Sequence, residues 1–79
     1  MTVTISNPDK IIFEGEASLL QLPGADGSFE VLDRHAPILS ILKKGSVRIV
    51  DKEGKEQRFD IPGGLFGMAG DSCRILLMD

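Results

Sequence analysis

Turn signals in this sequence are so closely spaced that they restrict the fold before any other feature is considered. Asn7-Pro8-Asp9, Gly15, Pro23 to Gly27, Lys44-Gly45, Glu53-Gly54, Pro62-Gly63-Gly64 and Gly70-Asp71 punctuate a chain of 79 residues. Most of the segments between them are only about five to eight residues long. Such intervals are short for helices but fit strands, and β-branched and aromatic residues fill them. This pattern predicts an all-β sandwich or barrel.

Hydrophobic alternation supports strands. Val3 and Ile5 oppose Thr2, Thr4 and Ser6, Val47 and Ile49 oppose Ser46 and Arg48, and Phe59 and Ile61 oppose Arg58 and Asp60. Asp51 to Lys55 reads as a hairpin loop with Gly54 at the positive-φ position. Residues 37–44 resist the pattern. Ile38, Leu39, Ile41 and Leu42 recur at helical offsets, and Pro37 fits a first helical turn behind Asp33. The same run also fits a strand buried on both faces, and periodicity does not separate the two.

At 79 residues, 42% hydrophobic and 27% charged, the chain has the composition of one small globular domain spanning residues 1–79. Disordered, collagen-like and disulfide-scaffold classes are excluded. Twelve acidic against nine basic residues give a net charge of -3, and Lys43-Lys44 is the only adjacent basic pair, so nucleic acid is not expected as a partner. Phe13, Phe29, Phe59 and Phe66 sit among apolar neighbours, which suits core packing better than base stacking. A single Cys makes no intrachain disulfide, and Met1 to Thr4 lacks a signal-like pattern. A reducing intracellular location is therefore expected. The longest apolar runs have four residues or fewer, against ~20 needed for a membrane helix.

Motifs for chemistry are absent. Residues 63–70 (GGLFGMAG) resemble a phosphate loop only superficially, since five residues separate Gly64 from Gly70 and Asp71 stands where a cation is required. Cys73 and His35 are the only possible Cys-His pair. Cys73, however, alternates with Ile75 and Leu77 as a core residue does. Asp26, Glu30 and Asp33 cluster around a loop without matching a calcium-loop pattern, and one His leaves zinc without a ligand set. No cofactor or metal is expected, and function falls to contacts with other chains.

Several stretches, in order and spacing, carry a resemblance: residues 11–16 (IIFEGE), 19–24 (LLQLPG), 35–39 (HAPIL), 42–50 (LKKGSVRIV) and 63–65 (GGL). Together they resemble the N-terminal domain of the epsilon subunit family of F-type ATP synthases. The resemblance implies a flattened β-sandwich of about ten short strands in two sheets, with residues 38–43 as a strand. It also implies a non-catalytic foot of the central rotor, peripheral on the cytoplasmic face of a bacterial inner membrane. One side of that foot packs on the gamma subunit, and its lower loops rest on the c-ring. Carried over residue by residue, His35, Ala36, Pro37 and Ser40 are expected toward gamma, and Ser28, Phe29 and Glu30 toward the ring. Ser28 replaces the family's usual acidic residue, Arg34 a turn glycine, and Pro62 a serine. The family's C-terminal helical pair, which binds ATP or blocks rotation, has no counterpart after Asp79, so neither property is expected of these residues. The alternatives are a free-standing β-sandwich module for a peptide or small ligand, and a small Cys-His enzyme.

Overall fold

The structure is a computed structural model in which residues 1–33 and 36–78 are described. Nine strands follow in chain order: β1 (Thr2–Ser6), β2 (Ile11–Glu16), β3 (Leu19–Gly24), β4 (Gly27–Leu32), β5 (Ile38–Leu42), β6 (Gly45–Val50), β7 (Glu56–Ile61), β8 (Gly64–Ala69) and β9 (Ser72–Leu77). The all-β class expected from turn spacing is observed, and the strand count is close to the expected ten. Among the described residues no helix is long and apolar enough to cross a membrane.

Strand order is β2-β1-β9-β8-β5-β3-β6-β7, with β4 paired to β3. The sheet turns over at one bridge, Gly24 of β3 against Leu42 of β5. This folds β4-β3-β6-β7, the first layer, onto β5-β8-β9-β1-β2, the second. Parallel pairing of β1 with β9 brings the two ends of the chain side by side. The body measures 31 × 23 × 19 Å.

The core is built by the period-two alternation seen in the sequence. Val3 and Ile5, Leu20 and Leu22, Val47 and Ile49, and Cys73 and Ile75 all turn inward and are buried. Phe66 is the largest fully buried side chain and lies against Phe29 of the opposite layer, ring centroids 6.0 Å apart. At the other side of the sandwich Phe13 of β2 meets Phe59 of β7 at 5.2 Å. Each pair spans the two layers, in the tilted geometry that aromatic quadrupoles favour. Gly64 permits a close approach within the second layer, because a Cβ there would collide with the Leu76 carbonyl oxygen.

Residues 38–42 form a strand, in register with β8 from Ile38 opposite Met68 to Leu42 opposite Gly64. The helical offsets arise because this strand is apolar on both faces: Leu42 is buried while Leu39 and Ile41 point outward. The Asp51–Lys55 hairpin is present, with Gly54 at φ 82°. Asp51 Oδ1 accepts hydrogen bonds from the Glu53 and Lys55 amides, both at 2.9 Å. Pro62 follows the end of β7, where its missing donor interrupts no ladder.

Met1 fastens the end of the sandwich opposite the β3–β4 turn. Its side chain is buried, with the sulfur 3.5 Å from Cys73 Sγ. Its ammonium donates to the Ala17 carbonyl at 3.0 Å and to Asp33 Oδ1 at 2.6 Å, with Asp71 Oδ1 at 3.5 Å. The hydrogen bond to Asp33 raises the ammonium pKa above its usual 8.0, against the opposing pull of burial.

Two outcomes are expected. Phe66→Ala should cost about 3–5 kcal/mol in urea denaturation, because the cavity opens in the seam between layers. The raised ammonium pKa implies stability that is fully present below pH 8 and lost as pH rises through the folded value. Stability in urea denaturation should therefore fall as pH rises above 8, by about 1 kcal/mol or less because Asp33 is partly exposed. Asp33→Asn should flatten that fall, and an equal pH slope in the variant would assign it to other groups.

Candidate partner interface

A two-layer sandwich has two outward sheet faces, and here they differ in chemistry. The outward face of the first layer is polar and satisfies itself. Register places Glu30, Gln21, Arg48 and Arg58 in one row across β4, β3, β6 and β7. Arg48 Nε donates to Gln21 Oε1 at 2.9 Å and Nη1 to Glu56 Oε1 at 3.0 Å, while Nη2 lies 3.7 Å from Glu30. Arg58 Nε donates to Glu56 Oε2 at 2.9 Å. That bond, seconded by Arg48, holds the Glu56 carboxyl below the usual carboxylate range. Among the described residues, the solvent-accessible apolar side chains on the strands of this face form the row Leu32, Leu19 and Val50.

The outward face of the second layer is apolar over β5, β8 and β9 and turns polar over β1 and β2, where Thr4 and Glu14 continue the row of Arg74. Ile41, Leu65 and Leu76 stand in one row across β5, β8 and β9, 67%, 37% and 47% exposed. Leu39, 74% exposed, begins the next row and is followed by Gly67 and Arg74. Exposed aliphatic side chains are ordinary when scattered. Four contiguous ones form a patch on the order of a few hundred Å², the extent at which an apolar surface marks a contact site. β8 and β9 are paired on both sides, so a partner covering their outward face packs on side chains and adds no strand there.

The residues expected from sequence distribute as alternation requires. Ser28 and Glu30 are exposed on the polar face of the first layer, and Gln21 Nε2 is 3.4 Å from Ser28 Oγ. Phe29, between them, turns inward against Phe66. Ala36 and Pro37 are exposed and lead into β5, whereas His35 and Arg34 lie outside the described residues. Ser40 sits on the inward side of β5, opposite Phe66. Phe29 and Ser40, carried over toward different partners, line one cleft of about 460 Å³ between the β3–β4 turn and β5. Leu39, Ile41, Leu65 and Leu76 were not among the expected site residues. The available signal was apolar character on both faces of Ile38–Leu42 and Cys73–Met78, which alternation alone does not explain.

The groups considered for chemistry are dispersed. Asp33 meets the Met1 ammonium, Glu30 lies near Arg48, and Asp26 borders the Phe29–Ser40 cleft. No set of three metal-ligating side chains forms among the described residues. Cys73 is buried, and burial pushes its thiol up to about 11.

Comparison with known proteins gives a consistent family. A family model described as "ATP synthase, Delta/Epsilon chain, beta-sandwich domain" matches residues 1–79. The chain is 39% identical over 75 residues to the ATP synthase epsilon chain of Chlorobium limicola, covering 95% of this chain and 85% of that one. It is 40% identical to the epsilon chain of Chlorobaculum tepidum over the same shares. Among solved structures, a chain of the Euglena gracilis mitochondrial ATP synthase superposes with TM-score 0.89 at 20% identity, over 98% of this chain and 49% of that one. The fold is therefore shared at the level of the whole sandwich.

If the second-layer face serves contacts and not the core, its side chains contribute little to the free domain. Leu39→Ser and Ile41→Thr should each shift unfolding stability by about 0.5 kcal/mol or less. Leu42→Ala, one residue away but buried, should cost about 2–5 kcal/mol. Urea titrations of the three variants check the contrast, and comparable losses at all three positions would mean that the face packs against something within the chain.

Proposed function

Since the chain belongs to the ATP synthase delta/epsilon β-sandwich family, we propose that it is a non-catalytic rotor-stalk subunit, binding the gamma subunit and the c-ring so that ion-driven rotation reaches the catalytic subunits. The observation that carries the reading is the apolar face of Leu39, Ile41, Leu65 and Leu76. It faces outward from a sandwich whose other broad face is occupied by its own ion pairs. Gamma docks on this apolar face. The loops at the β3–β4 end rest on the ring, with Ser28 and Glu30 near that end. The subunit works as a peripheral component on the cytoplasmic face of the membrane, and these 79 residues bind no ATP.

The role suits the architecture. Torque passing between two partners is lost in any element that bends, and nine short strands with tight turns leave little to bend. Removing four exposed aliphatic side chains from water supplies the drive for a lasting contact. The surrounding strand ladders keep the face in one shape before and after docking.

Titration calorimetry of the chain into its cognate gamma subunit should give saturable one-to-one binding, with no heat from ATP. Leu39→Asp, which places a carboxylate in the apolar contact, should weaken binding roughly thirtyfold or more while leaving the fold intact by circular dichroism. No binding by the folded wild-type chain would instead favour a free-standing binding module.

A further inference from the structure

Gly67 occupies the middle of β8, between Leu39 on β5 and Arg74 on β9. Nothing in the fold requires a glycine there. Its φ lies outside the left-handed region, and a Cβ would meet only Leu39 Cδ1, at an ordinary 3.8 Å. Glycine within a strand weakens it relative to alanine and often marks a place where another molecule approaches closely. The missing side chain joins two open depressions of about 310 and 240 Å³, both bordered by Leu39, Gly67 and Arg74. Arg74 is the one basic strand residue on this face, and no carboxylate among the described residues lies within ion-pair distance of it.

We propose that the groove over Gly67 receives a bulky apolar side chain from a helix of the gamma subunit, and that a carboxylate on that helix pairs with Arg74. This rests on the gamma-docking function proposed above and assigns its specificity. Three strands spaced by about 4.8 Å present a field roughly 10 Å wide, the breadth of one helix. Apolar neighbours on the Leu39 side and Arg74 on the other, with Thr4 and Glu14 continuing its row, call for an amphipathic element whose acidic residue reaches Arg74. A second copy related by a two-fold axis at Gly67 would set groove against groove and fill neither.

The test compares stability with binding. Gly67→Ala and Gly67→Val should raise the melting temperature of the free chain, by about 2–6 °C. Gly67→Val should weaken binding to the cognate gamma subunit roughly tenfold or more, and Gly67→Ala less. Arg74→Gln should weaken binding and reduce its dependence on salt, and Arg74→Glu should weaken it further. A stabilised Gly67→Val chain that binds gamma as tightly as wild type overturns the groove while leaving gamma docking intact. Lower melting temperatures for both Gly67 variants would mean that the glycine serves the fold, and would overturn it as well. Sedimentation showing a wild-type dimer that Gly67→Val dissociates would make a second copy the occupant. Absence of gamma binding by the wild-type chain would overturn the docking function itself.

Discussion

A β-strand offers one face to the core and one to its surroundings, because successive side chains project in opposite directions. In a domain of this size that rule governs almost everything else. Two layers close over a single core whose seam is filled by Phe66 and flanked by the Phe13–Phe59 and Phe29–Phe66 pairs. Every residue committed to that seam is unavailable for contact, and the function has only the two outward faces and the loops to work with. The contrast between those faces therefore carries more weight than any single residue. One is crossed by Arg48 and its partners, the other by exposed aliphatic side chains.

Much of this was legible in the sequence, for reasons that can be traced. Turn residues set strand lengths, and strict alternation in Thr2–Ser6 and Gly45–Val50 reported strands with one wet face. Residues 38–42 remained ambiguous on period because their outward face is also apolar. The property that defeated periodicity is the one that marks the candidate interface. Gly67 was equally opaque: in a sequence with glycines at nearly every turn, a glycine in mid-strand draws no notice until its φ and neighbours are known. The Met1 ammonium held by Asp33 joins positions 32 apart, and no local pattern announces such a contact.

Alternation also revises how the residues carried over from the family can act. Ser28, Phe29 and Glu30 are consecutive in β4, so they cannot all meet one partner through one sheet face. Ser28 and Glu30 remain outward, while Phe29 works through Phe66 and through the cleft it shares with Ser40. Leu39 and Ile41 border that cleft and also belong to the apolar field. The end proposed to meet the ring and the face proposed to meet gamma are thus one packed unit. A force applied to β4 reaches β8 through two aromatic rings and not through a flexible loop.

That continuity bears on why the apolar face is tolerated. Exposed aliphatic surface invites self-association, and a small domain has little stability to spend on countering it. Over β8, β9 and β1 both backbone edges are paired, so strand addition has no entry in the middle of the face. What remains is packing on side chains, which rewards shape. Leu39, Gly67 and Arg74 give that shape a gap and a charge at fixed positions, and an indiscriminate partner would leave the first empty and the second unpaired. Selectivity in such a surface comes less from the number of apolar groups than from the two places where the row is interrupted.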